Sequence, residues 1–141
     1  MKEIILGVIL LIQGIIDIRH REIPFSVSAI GAIVGIGICI WEERELIGLL
    51  LAVLPGIFAL LFAKISHESL GYGDGVLFVV MGIYLSWETV LAVGMFAFSI
   101  AGVCALVLIV IFRKKGNYQI PFVPFLTIAY ILRFILGLEV V

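Results

Sequence analysis

GYGDGVLFVVMGIYL, residues 71–85, places one carboxylate, Asp74, between two glycines at the head of an otherwise apolar run. The composition of the chain decides what such a run is. Of 141 residues, 64% are hydrophobic and 13% charged, and the mean hydropathy is +1.33. A soluble domain of this length needs far more polar surface to cover its core, so the chain reads as a membrane protein. A net charge of -1 gives no footing for a nucleic-acid partner.

Working outward, similar apolar runs recur at about Ile4–Ile16, Phe25–Trp41, Leu46–Ala63, Val76–Trp87, Thr89–Phe112 and Ile120–Leu138. The expected fold is all-α: one polytopic membrane domain over residues 1–141 with about six transmembrane helices. The first and fourth runs are shorter than the roughly 20 residues that a bilayer core requires, so they borrow flanking residues. The first is read as a span and not a cleaved signal, because Glu3 offsets Lys2 and no small-residue cleavage site follows. Pro55-Gly56 is expected to kink the third span. GAIVG (31–35) is a GxxxG, read first as a small-residue packing face and second as a dimer contact.

Six of the nine basic residues fall in the first, third and fifth connections: Arg19, Arg21, Lys64, Arg113, Lys114 and Lys115. By the positive-inside rule these connections face the cytoplasm and both termini lie outside. The chain has two aspartates, Asp17 closing the first span and Asp74 opening the fourth, and both return to that cytoplasmic side. An ionisable group is costly within a bilayer, about 2.5–3.5 kcal/mol at a helix centre and less near the interface. Taken singly, each aspartate is as well explained by a cap or an ion pair, Asp17 with Arg21 or Asp74 at a helix N-terminus. Gly71, Gly73 and Gly75 tip the balance, since they strip side chains from around Asp74 and let an extended peptide or a facing helix come close. Two carboxylates brought together share a proton. Such a pair activates water with its charged member and protonates a carbonyl with the other, which is aspartic-protease chemistry.

The residues DIRHREIP (17–24), GYGD (71–74) and IPFVPFL (120–126), in this order and each at a cytoplasmic edge, resemble the type IV prepilin and preflagellin peptidases, membrane aspartic proteases of the GxGD class. The resemblance implies that Asp17 and Asp74 are the catalytic pair. It also implies that Ile23 and Pro24 lie with the glycines in the substrate-approach loop, and that Pro121, Phe122, Pro124 and Phe125 support the site. The implied reaction is endoproteolytic removal of a short basic leader from a pilin-like or flagellin-like precursor at the cytoplasmic face of the cell membrane, with membrane lipid the other partner. Many relatives carry a lysine two positions after the motif's aspartate, where this chain has Val76. Larger bacterial members insert a segment with two CxxC pairs after the first span and also methylate the new N-terminus. Here Asp17 and Pro24 lead straight into the second run, and Cys39 and Cys104 are solitary, so the chain resembles the short peptidase-only forms. No metal or other cofactor is expected.

Other chemistry is thin. HESLG at His67 is not HExxH, and His20 and His67 read as solvated loop residues. Gln13 lies one turn before Asp17 on the same helix face, placed to bond either that carboxylate or a neighbouring helix. Pro121 and Pro124 either hold the start of the sixth span off ordinary helix geometry or simply begin it. Arg113-Lys114-Lys115 is a topology signal and headgroup contact. The competing class is a small transporter or channel component using the aspartates as proton or cation ligands; a noncatalytic assembly subunit is the third.

Overall fold

The computed structural model describes residues 1–20, 23–65, 71–111 and 120–137. Six helices follow in order: α1 Lys2–His20, α2 Phe25–Trp41, α3 Leu46–Ile65, α4 Tyr72–Tyr84, α5 Trp87–Val110 and α6 Val123–Leu136. Among the described residues there is no strand. The apolar runs locate each helix, and α2 coincides with its run. The differences lie at polar ends. α1 carries on through Asp17 and Arg19 to His20, so Asp17 is inside the last helical turn. α4 begins at Tyr72, so Asp74 lies in its first turn, and Trp87 opens α5 instead of closing α4. Helical backbone bonding does not stop where hydropathy falls, so the helices extend past the apolar runs into polar residues at their ends. α3 is one continuous helix with Pro55 inside it and Lys64 in its last turn. By length and composition, α3 and α5 are able to cross a membrane, while α2, α4 and α6 are shorter apolar helices.

The short α4 is the centre of the bundle. It packs most extensively on α3 and also meets α2, α1 and α5, and it buries every residue from Val80 to Tyr84. Two glycines allow the close fit with α3. A Cβ at Gly56 would run into the Val79 backbone nitrogen, and one at Gly82 into the Ala52 carbonyl. The backbones of α3 and α4 therefore touch with no side chain between them, a route to dispersion contact when apolar burial is not the driving force. The GxxxG of α2 is used within the chain to receive side chains. Gly31 receives Ile9 of α1 and Gly35 receives Tyr84 of α4, whose hydroxyl donates to the Gly31 carbonyl at 2.7 Å.

One end of the bundle is tied by polar contacts. Arg44, read from sequence as one more charge in a loop, donates to the carbonyls of Gly82, Ile83 and Leu85. Those are the unpaired acceptors at the C-terminus of α4, where a cation is also favoured by the helix dipole. Lys2 pairs with Glu42 at 2.7 Å and Arg133 with Glu3 at 3.1 Å, linking α1 to the turn after α2 and to α6. The antiparallel course of the helices then puts the C-terminus of α1 and the N-termini of α4 and α6 together at the opposite end. Large apolar side chains such as Phe58, Met95, Ile33 and Phe134 point outward.

Candidate active site

At that opposite end α1 delivers Asp17 and α4 delivers Asp74. Asp17 is 6% exposed, and its Oδ2 accepts the Val123 backbone N–H at 3.1 Å. Val123 is the first residue of α6, so its N–H is one of the four that a helix N-terminus leaves without an internal partner. Asp74 stands in the first turn of α4, its own N–H donating to the Gly71 carbonyl at 3.0 Å. Each carboxylate thus sits at the positive end of a helix dipole, its own or a neighbour's.

The late proline-phenylalanine motif explains how α6 arrives there. Pro124 occupies the first turn of α6, where a missing N–H leaves no bond unmade. Phe122, immediately before Val123, packs tilted against Phe98 of α5 with ring centroids 4.7 Å apart, and stacks at 6.3 Å on Phe78 of α4. Thr127, one turn on, donates its hydroxyl to the Leu10 carbonyl of α1 or that of Val123. The motif therefore fixes a backbone donor against Asp17 and an aromatic ring against α4 and α5. Pro121 and Phe125 are half-buried beside it. This function of the motif was not visible in the sequence, because it depends on which helix end meets Asp17.

The glycines around Asp74 do different work from one another. Gly73 is filled by Ile23, whose side chain lies 2.5 Å from where a Cβ would be, and Gly75 by Leu60 of α3 at 2.8 Å. The Ile-Pro pair and the GYGD loop thus pack on each other, and Pro24 leads into α2. At Gly71 a Cβ would sit 2.9 Å from Asp74 Oδ2, so a side chain there would cover the carboxylate. Gly71 and Gly75 also border a cleft of about 480 Å³ between α3, α4 and α5. Among the described residues Asp74 is the one ionisable side chain that lines it; the rest of that lining is apolar, with Leu54, Phe58, Phe78, Met95 and Phe98 among its members. Asp17 does not line it.

Gln13, one turn from Asp17, is 0% exposed and donates from Nε2 to Ser28 Oγ of α2 at 2.8 Å. Its Oε1 has no partner. Of the two positions open to it, the amide takes the neighbouring helix. His20 is the exposed last residue of α1. His67, Arg21 and Arg113-Lys114-Lys115 lie outside the described residues. Among the described residues no three His, Cys, Asp or Glu side chains gather in one place. Two carboxylates stand at this end of the bundle, one anchored to a helix end and one facing an apolar cleft.

The chain was compared with known proteins. No curated protein and no solved structure matches it. A family model, described as the type IV leader peptidase family, matches residues 4–110. That stretch holds both aspartates, the Ile-Pro pair and GYGD, and it ends before α6. The match covers most of the sequence, and the chain belongs to the type IV leader peptidase family.

Proposed function

We propose that this chain is a multi-pass membrane aspartic endopeptidase that removes a short basic leader from a pilin-like or flagellin-like precursor, with Asp17 and Asp74 as its catalytic pair. The observation that carries the reading is the placement of the chain's two aspartates at the same end of the bundle, Asp17 in the last turn of α1 and Asp74 in the first turn of α4, in a member of a leader peptidase family. One carboxylate takes a proton from a water held between the two as that water attacks the scissile carbonyl. The other gives its proton to the carbonyl oxygen, and the tetrahedral intermediate collapses as the leaving nitrogen is protonated. The dyad acts as a unit, so acid and base are assigned to the pair and not to one residue each. The bond from Val123 holds Asp17 in one orientation, as a catalytic group needs.

A membrane setting is supported by the outward-facing apolar side chains along every helix but the central α4, which water would not tolerate over so large an area. The count of basic residues supports a cytoplasmic site, since the first, third and fifth connections, which adjoin Asp17, Asp74 and the start of α6, carry six of the nine.

The test is cleavage of a precursor with a basic leader, a glycine and an apolar stretch by membranes containing wild-type chain, Asp17→Asn or Asp74→Asn in equal amounts. Asparagine keeps the size and the capping capacity of aspartate but not its titratable proton. Each single variant is expected to lose cleavage and the double variant to lose little more. Substantial cleavage by either single variant rules out the two-aspartate mechanism and favours a transport or assembly role.

A further inference from the structure

Gln13 holds an oxygen for which the packing of the bundle gives no use. The residue is fully buried, and its Nε2 is spent on Ser28 Oγ in the first turn of α2. Its Oε1 is, among the described residues, the one buried side-chain polar atom with no hydrogen-bond partner. An acceptor shut away from water without a donor is costly and calls for a reason. The hydroxyls that α1 meets along this face are engaged elsewhere: Thr127 donates to the Leu10 or the Val123 carbonyl, and Ser28 receives the amide. Asp17 lies one turn on, among the same buried residues of α1. Helical side chains lean toward the N-terminus, so the Asp17 carboxyl leans back over the turn that carries Gln13. Cβ atoms at this spacing are about 5–6 Å apart, a gap that glutamine and aspartate close with a hydrogen bond.

We infer that Gln13 Oε1 is the acceptor for the O–H of Asp17 whenever that carboxyl holds the proton of the pair. The inference rests on the peptidase reading above and makes Gln13 a positioning residue for Asp17. The Val123 N–H donates to Oδ2, and an oxygen that carries a proton accepts poorly, so a proton on Asp17 goes to Oδ1. At 6% exposure that O–H has little water to donate to, and the acceptor that lacks a donor is one turn away. Their bond leaves neither group unpaired. It directs the proton along α1 until a scissile carbonyl arrives, when the O–H turns from Gln13 to the substrate. Gln13 thereby weights the shared proton toward Asp17 in the resting protein, while the pair still titrates as a unit. The other titratable groups on the helices that pack on α1 leave this part to Gln13 and Asp74. On α4, Tyr72 is exposed and Tyr84 donates to Gly31 at the far end. α2 has no titratable residue before Cys39, and Tyr130 and Arg133 of α6 bond Glu3 at the opposite end. Arg19 and His20, which follow Asp17 on α1, are exposed.

The experiment uses the fact that the chain has two aspartates. Aspartate labelled with carbon-13 at the side-chain carboxyl gives two signals in a detergent-solubilised protein, and Asp74→Asn assigns them. Each is titrated in the wild type, in Gln13→Met, in Ser28→Ala and in the double variant Gln13→Met/Ser28→Ala, which removes both partners of the buried bond. Losing an acceptor for the acid form favours the carboxylate, so Asp17 gives up its proton at lower pH. With Gln13→Met, alone or in the double variant, its midpoint is expected to fall by roughly 0.5–1 pH unit, the size of one ordinary net hydrogen bond. The basic limb of kcat for precursor cleavage moves the same way, with KM changed by less than about twofold. Ser28→Ala keeps the Gln13 oxygen and is expected to leave the Asp17 midpoint within about 0.2 pH unit of wild type. A purely structural Gln13 predicts that the double variant titrates as the wild type does, and that result overturns the inference. So does a fall in Ser28→Ala as large as that in Gln13→Met. A wild-type chain that fails to cleave the precursor removes the peptidase reading and any part for Gln13 in the reaction, whatever the titration shows.

Discussion

Adding one methyl group at Gly82 should cost this protein both stability and catalysis, and the structure sets the size of each loss. A Cβ there would lie 2.6 Å from the Ala52 carbonyl carbon and 2.9 Å from Val53 Cα. Ordinary contact begins at 3.4 Å, so α4 must back away from α3 by at least about 0.8 Å at that crossing. Neither neighbour is a side chain that can swing aside. Overpacking of this kind costs roughly 1–3 kcal/mol, here toward the upper end because backbone must move. Replacing glycine within a helix returns up to about 1 kcal/mol, leaving Gly82→Ala about 2 kcal/mol less stable. On the proposed two-aspartate mechanism the catalytic loss follows because α4 is one helix with Asp74 two turns away, and a displacement near 1 Å of a reacting group costs on the order of 100-fold in rate. Gly102→Ala is the control: it lies in α5 with nothing within 4 Å of the added carbon, so activity should hold and stability stay level or rise. The assay is thermal unfolding in detergent, together with precursor cleavage in reconstituted vesicles. If Gly82→Ala matches wild type in both, or if Gly102→Ala falls as far, the backbone contact of α3 and α4 does not do what is argued.

Arg44→Met should destabilise the protein by about 2–3 kcal/mol, since it strips charged donors from three carbonyls at the end of α4, and Arg44→Lys should recover only part of that because a point charge cannot span the set; an unchanged unfolding midpoint for Arg44→Met contradicts this. Ser28→Ala leaves the buried Gln13 amide without its bond and should cost roughly 1–3 kcal/mol, whereas joining it with Gln13→Met should restore most of the loss. A double-mutant cycle on unfolding free energy measures that coupling, and additive losses would mean the bond carries no weight. Single cysteines at His20 and Glu43, in a variant without Cys39 and Cys104, should differ in labelling by an impermeant thiol reagent added outside intact cells: Glu43 reacts, His20 does not. The reverse pattern would put both aspartates on the wrong side for a cytoplasmic leader.

Legibility of the fold in the sequence followed hydropathy closely. Apolar runs located all six helices, because the length and spacing of those runs are the property being selected. Their ends were less legible at Asp17 and Asp74, where the polar residues sit inside the helices and not beyond them. Pairing within the bundle was hidden for another reason. Gly31 and Gly35 announce a close approach without saying what approaches, and only the structure names Ile9 and Tyr84. The same holds at the site, where GYGD marks a crowded loop but the filling of Gly73 by Ile23 depends on α2 folding back onto α4. Arg44 gave no local signal at all, since its partners are carbonyls about 40 positions on, and carbonyls have no residue type. The cleft was equally invisible, being a gap between helices that are each apolar on several faces.

The bond between Asp17 and the Val123 amide joins residues 106 positions apart, and this has a bearing on how the protein comes into being. Chains are synthesised from the N-terminus at about 5–20 residues per second, so roughly 5–20 s pass between the making of Asp17 and the making of its partner. Throughout that interval a nascent chain already carries Asp17, and later Asp74, without the donor that orients the first of them. On the two-aspartate reading proposed above, hydrolytic competence then arrives with α6, after the five helices that precede it. A half-made molecule in the translocation machinery, surrounded by other nascent membrane segments, does not yet hold Asp17 in the orientation that this mechanism requires.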